Sequence, residues 1–282
     1  MNQTLASALR AALISCLFAF SLVALPVGAA LSQEQRREWQ AELREQQPLV
    51  ERALAAIKPS DRARRSRQLY FVGFAGFGHQ AVFKREVEEV RKLFDERFDT
   101  RERSVALINH PSTVDEVPLA TVENLTQVLS GLGRIMDSAN DVLFLFVTTH
   151  GVKSVLAVEM PSVGLDHLQP RALKAMLDKS GIKNRILVLS ACHSGSFIPA
   201  LADARTLVIA AARADRTSFG CDDKRAWTYF GDAYFNRALR EETSFKRAFI
   251  QASKQIRVWE SAAKLTPSLP QMKGGEALRL DE

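Results

Sequence analysis

From Gln68 onward, short apolar runs alternate with segments whose apolar residues recur every three or four positions. "LYFVGFAG" is continuously apolar and ends in glycine, which predicts a strand buried on both faces. "QAVFKREVEEVRKLFDERF" follows, with Val82, Phe83, Val87, Val90, Leu93, Phe94 and Phe98 along one helical face. The alternation continues with a strand at "RSVALIN", a helix at "PLATVENLTQVLSGLGRIM" and a strand at "DVLFLFVTTH". Next come a helix at "QPRALKAMLDKSG", stopped by Gly181, and strands at "RILVLSAC" and "TLVIAAAR". "VLAVEM" predicts a short strand that either folds back on the preceding one or joins the sheet. Two further helices are predicted around "TYFGDAYFNRAL" and "SFKRAFIQASKQIRVWESAA". This order predicts an α/β fold with a mostly parallel sheet covered on both faces. In such a sheet the working residues gather at the carboxyl ends of the strands.

Upstream of Gln68 the pattern is different. "AALISCLFAFSLVALPVGAA" is apolar, follows Arg10 and ends in small residues at Val27 to Ala30. That is the pattern of a secretory signal peptide, assigned to residues 1–29. An uncleaved membrane anchor is the alternative, disfavoured by Pro26 and by the short apolar length. "LISC", ending at Cys16, resembles an acylation box, but the apolar run lies mostly after the cysteine. Residues 30–67 predict an amphipathic helical segment, interrupted at Pro48, and a basic linker "PSDRARRSRQ". Residues 68–282 form the main domain. The chain is expected to be exported, periplasmic in a bacterium, and held at the inner membrane if the signal is retained.

Composition narrows this only slightly. Of 282 residues, 46% are hydrophobic and 25% charged, with a net charge of +6, as in ordinary globular proteins. The single basic cluster (Arg62, Arg64, Arg65, Arg67) reads as a solvated linker, so no nucleic-acid partner is expected. Beyond the signal only Cys192 and Cys221 remain, too few for a disulfide scaffold, although one bridge is formally open. His79, His110, His150, His167 and His193 are too scattered for a zinc site, and no phosphate loop or Gly-x-Ser-x-Gly elbow occurs. No cofactor or metal is expected.

Two of the predicted strands end in reactive side chains, His150-Gly151 and Cys192. In a parallel sheet both ends lie at one edge, so the two can be neighbours. A buried cysteine or a hydrogen-bonded histidine at a strand end is ordinary when alone. Together, each beside small residues, they favour a nucleophile with an acid/base partner. "HSGSFIPALAD" predicts a helix starting just after Cys192, which would favour thiolate, and Ser194, Gly195 and Ser196 would leave room for substrate. Gly151 could present a backbone N–H to an oxyanion. His193 is expected at the rim.

At these motifs the chain resembles the legumain family of cysteine peptidases (peptidase family C13, caspase-like clan), in particular its compact exported bacterial members. The resemblance runs from about Leu69 to Met272. It rests on "TTHG", on "SACHSGSF" and on "TSFGCDDKRAWTYFGDAYF", which is similar to the segment building the primary specificity pocket. It implies a caspase-like three-layer α/β/α sandwich with Cys192 as nucleophile, His150 as proton-transfer partner and the N–H groups of Gly151 and Cys192 as oxyanion hole. Ser218 and Asp232 match polar residues of the pocket. His79 and Gln80 also match, but Gly78 stands where the family has a pocket arginine, so asparagine preference is not implied. The implied activity is peptide-bond hydrolysis through a Cys192 thioester, with polypeptide as partner. Two rivals remain: a transamidase or ligase using the same pair, and a non-catalytic binding scaffold.

Overall fold

The computed structural model describes residues 46–63, 66–161 and 163–278. The proposed signal at 1–29 and the first part of the helical segment, 30–45, lie outside the described residues. Among the described residues no helix is long and apolar enough to cross a membrane.

Six strands form one sheet: β1 (Leu69–Ala75), β2 (Ser104–Ile108), β3 (Val142–Thr148), β6 (Asn184–Ser190), β7 (Thr206–Ala210) and β8 (Gln271–Lys273). Their order is β2-β1-β3-β6-β7-β8, parallel throughout except for β8, which runs antiparallel along β7. β8 has no strand-like run in the sequence and was not anticipated. The predicted "VLAVEM" strand shortens to β5 (Val155–Leu156), which folds back on β4 (Gly151–Val152) as a small hairpin outside the main sheet.

Alternate side chains of the strands enter two separate cores. One face (Val72, Phe74, Leu145, Leu187) packs against α1 (Gln47–Ala55), α3 (Val122–Ile135), α4 (Pro170–Lys179) and α5 (Ile198–Leu201). The other (Phe71, Phe144, Phe146, Ile186) packs against α2 (Ala81–Arg97), α8 (Phe245–Ala262) and the helical stretch between Tyr229 and Glu241. The continuous apolar runs therefore read as they do because both faces of each strand are covered. The stretch 229–241 is not a uniform helix: α6 (Tyr229–Gly231) gives way to a π-helix (Asp232–Ala238) and then to α7 (Leu239–Glu241).

Pro48 stands in the first turn of α1, where a proline forfeits no intrahelical hydrogen bond. The segment from Gln46 is also packed against the domain. Leu49, Val50 and Ile57 are buried, Gln46 Oε1 accepts from Leu119 N–H at 2.9 Å, and Lys58 N–H donates to Glu102 at 2.7 Å.

One charged residue sits deep in this frame. Glu86, on the apolar face of α2, is fully buried. Its carboxylate accepts from the Thr148 hydroxyl at 2.6 Å, the Thr228 N–H at 2.8 Å and the Thr228 hydroxyl at 2.7 Å. Burial pushes the Glu86 carboxyl above its ordinary 4.5; these hydrogen bonds oppose the rise and the charge on Asp232 adds to it. The folded chain thus holds this proton more tightly than the unfolded chain does. Glu86 therefore contributes stability below pH 4.5 that is lost as pH rises through the raised folded value. Glu86→Gln should remove this component. The melting temperature of the variant relative to wild type should then rise as pH climbs through that window. A pH-independent difference would show that Glu86 titrates alike in both states.

Candidate active site

The strand register brings the chemistry together. Ala75 on β1 pairs with Thr148 on β3, and Thr148 pairs with Ser190 on β6. His150 and Cys192 each lie two residues beyond that last pair, at the carboxyl edge. The ladder continues past it, with Thr149 N–H donating to Ser190 at 3.2 Å and Gly76 N–H to Thr148 at 3.0 Å. A Cβ on Gly151 would lie 2.6 Å from the Cys192 carbonyl oxygen. Only glycine allows this close approach of the two loops.

The Cys192 sulfur is partly exposed and bracketed by Ser218. It accepts from Ser218 N–H at 3.3 Å and lies 3.6 Å from the Ser218 carbonyl oxygen and 3.8 Å from its hydroxyl. Cys221, three residues further, is also a free thiol. Burial pushes the Cys221 thiol up, with Cys192 adding in the same direction, so less of it is thiolate at neutral pH than of an ordinary cysteine. The formally open disulfide is not formed.

His150 is half-buried. Phe77 and Phe83 meet its ring edge-on at centroid distances of 4.6 and 5.1 Å, and Nε2 lies 2.6 Å from Gln80 Oε1. Burial lowers the His150 pKa below its ordinary 6.5, with Glu159 opposing, so the ring is neutral at pH 7.

Three expectations about the nucleophile loop are corrected. First, no regular helix starts at Cys192. A 3-10 turn (Ser194–Phe197) leads into the four-residue α5, too short for an appreciable dipole. Second, Ser194 and Gly195 do not leave room for substrate. Both are buried, Gly195 N–H donates to Ala212 at 2.8 Å, and a Cβ at Gly195 would meet Gln271 Oε1 at 2.6 Å. Third, Ser196 is a bridge. Its hydroxyl accepts from Ser154 N–H at 2.8 Å and donates to His193 at 2.7 Å, tying the β4–β5 hairpin to the nucleophile loop. His193 adopts a left-handed backbone (φ 56°), unusual for a residue with a side chain, and its Nδ1 contacts the Ala214 carbonyl at 3.1 Å.

The other pocket residues differ in their surroundings. Ser218 lies at the sulfur. The Asp232 carboxylate is engaged on its own helix, by Asn236 at 2.7 Å and by Arg237 at 3.3 Å, the latter aligned with it by the five-residue π spacing. His79 is exposed, its ring tilted against Phe77 at a centroid distance of 5.3 Å. Gly78 is closed in. Its N–H donates to Glu159 at 2.8 Å, and a Cβ there would lie 2.9 Å from Met160 Sδ and 3.1 Å from Pro161. A side chain at this position would first have to displace Met160.

The pocket segment is tied to the start of α2. Ala81 N–H donates to Asp223 Oδ1 at 2.7 Å, and Arg85 donates to the carbonyls of Asp223 and Arg225, both at 2.7 Å. Neither these ties nor Glu86 was singled out from the sequence. Glu86 did carry a signal, since a glutamate between Phe83 and Val87 interrupts an otherwise apolar helical face.

The profile of the Peptidase C13 family matches residues 120–277. A vacuolar-processing enzyme from Ricinus communis is 27% identical over 186 residues, which is 53% of this chain and 37% of that protein. The chain thus matches well under half the length of that relative. The crystal structure of caspase-1 from Spodoptera frugiperda superposes with a TM-score of 0.53 at 15% identity, covering 77% of this chain and 92% of that one. The fold is therefore caspase-like.

Gly151→Ala should force the hairpin away from Cys192, costing about 1–3 kcal/mol for the overpacked methyl group and quickening alkylation of the Cys192 peptide as followed by mass spectrometry. Unchanged melting and alkylation would show that the close approach is dispensable.

Proposed function

This chain belongs to the peptidase C13 family, and on that premise we propose that it is an exported cysteine endopeptidase in which Cys192 attacks a peptide carbonyl. The observation that carries the proposal is the register: Thr148 opposite Ser190 places His150 and Cys192 at equal depth on neighbouring strands.

In the proposed reaction the Cys192 proton passes to the neutral His150 ring as sulfur bonds to the carbonyl carbon. The oxyanion is held by the N–H groups of Gly151 and Cys192. Collapse breaks the C–N bond, His150 returns the proton to the departing amine, and a thioester remains. Water, giving its proton to His150, then releases the acid and restores the thiol. Ser218, already at the sulfur, meets the substrate beside the scissile bond. Asp232 would meet a substrate group while already engaged by Asn236 and Arg237. With Gly78 walled in by Met160 and Pro161, the pocket selects its side chain without the family's arginine.

The test is proteome-wide cleavage-site profiling of wild type against Cys192→Ala. Cleavage should fall by about four orders of magnitude or more in the variant, with a consistent residue before the cut sites of wild type. Equal cleavage by both proteins would end the assignment. Adding an amine nucleophile and weighing the products separates hydrolysis from transfer: only free acids are expected.

A further inference from the structure

The register brings His150 to the site but does not choose between its two ring nitrogens. Phe77 and Phe83 pack edge-on against the ring at 4.6 and 5.1 Å, which restricts its turning over. Nε2 then faces Gln80 Oε1 at 2.6 Å. An amide oxygen can only accept, so this contact puts the hydrogen of the neutral ring on Nε2 and the lone pair on Nδ1.

Gln80 is itself well placed to hold that choice. It is the extended residue just before α2 (φ −135°, ψ 123°), and the next N–H, of Ala81, is held by Asp223 at 2.7 Å. Phe83, within the first turn of the same helix, is one of the ring's two walls. One helix start thus supplies both the packing and the acceptor. The ionisable group that acts on the ring is Glu159, from the segment paired with Phe77. α2 presents the uncharged Gln80 and Phe83.

We propose that Gln80 is a positioning residue that fixes His150 as the Nε2–H tautomer and reserves Nδ1 for the proton taken from Cys192. The inference rests on the Cys192/His150 reading above. In the opposite tautomer Nδ1 would carry a hydrogen and could not accept the thiol proton. An uncharged acceptor suits this task, because it orients the ring without stabilising imidazolium as a carboxylate would.

The test has a spectroscopic and a kinetic arm. In the full chain carrying Cys192→Ala and nitrogen-15-labelled histidine, His150 should show a protonated Nε2 and an unprotonated Nδ1 at neutral pH. Gln80→Leu should turn this into a tautomer mixture. Gln80→Glu, which keeps an acceptor oxygen, should retain the Nε2–H form and raise the His150 titration midpoint. With Cys192 present, Gln80→Leu should lower kcat by about 10- to 100-fold with KM changed less than about twofold, and Gln80→Glu should recover most of that loss. An unaltered tautomer in folded Gln80→Leu, or an unaltered kcat, overturns the proposal. If Gln80→Leu does not fold, an unmoved midpoint in Gln80→Glu overturns it instead. The spectroscopic arm needs no turnover, so a wild-type protein that cleaves nothing while its tautomer follows Gln80 would count against the peptidase reading alone.

Discussion

A carboxylate buried without a cationic partner is a costly thing to keep, and the architecture of this domain is arranged around one. Glu86 draws three hydrogen bonds from two threonines that belong to different parts of the chain. Thr148 ends the central strand two residues before His150, and Thr228 caps the helix that follows the pocket segment. Satisfying that one group therefore fixes α2 against the histidine strand and against the pocket segment together. Gly231 is part of the same fit, since a Cβ there would collide with the Glu86 carboxylate at 2.0 Å. Around Glu86 the first turn of α2 repeats the theme: Gln80 reaches His150, Ala81 reaches Asp223 and Arg85 reaches two carbonyls of the pocket segment. A single helix start thus sets both the orientation of the histidine and the shape of the neighbouring loop.

The sheet and the loops divide the work. Parallel register sets how far His150 and Cys192 project, which needs no contact between their side chains. The loops beyond the strands are held by contacts of their own. Gly76 and Gly78 exchange hydrogen bonds with Glu159, and Ser196 fastens the hairpin to the nucleophile loop. Glycines occur where two backbones must nearly touch, at Gly76, Gly78 and Gly151. The strained left-handed His193 sits where the chain leaves Cys192.

The strands and the long helices were legible because burial on two faces writes an unmistakable apolar run, and burial on one face writes a three-to-four periodicity. Phe71 and Val72 enter opposite cores, as the continuous run at "LYFVGFAG" required. The pairing of strand ends could be inferred from the same logic, since parallel strands share an edge. What stayed hidden depends on distance in three dimensions. Nothing near Ser196 in sequence announces Ser154, and nothing near Gln80 announces His150. β8 was invisible because a three-residue edge strand has no room for a pattern. The helix expected after Cys192 starts only as a short 3-10 turn at Ser194, and there Ser194 and Gly195 also have to be small enough to fit beneath Ala212 and Gln271.

That last contact has a bearing on when the site comes into being. Gln271 belongs to β8, the antiparallel strand added at the sheet margin, and its side chain walls one side of Gly195, three residues past the sulfur. The nucleophile loop is therefore finished by a segment made long after it. A chain synthesised only as far as α8 already contains His150 and Cys192 but lacks the β8 side chain that walls Gly195. Topology alone then leaves the packing around Gly195 incomplete until β8 has been made.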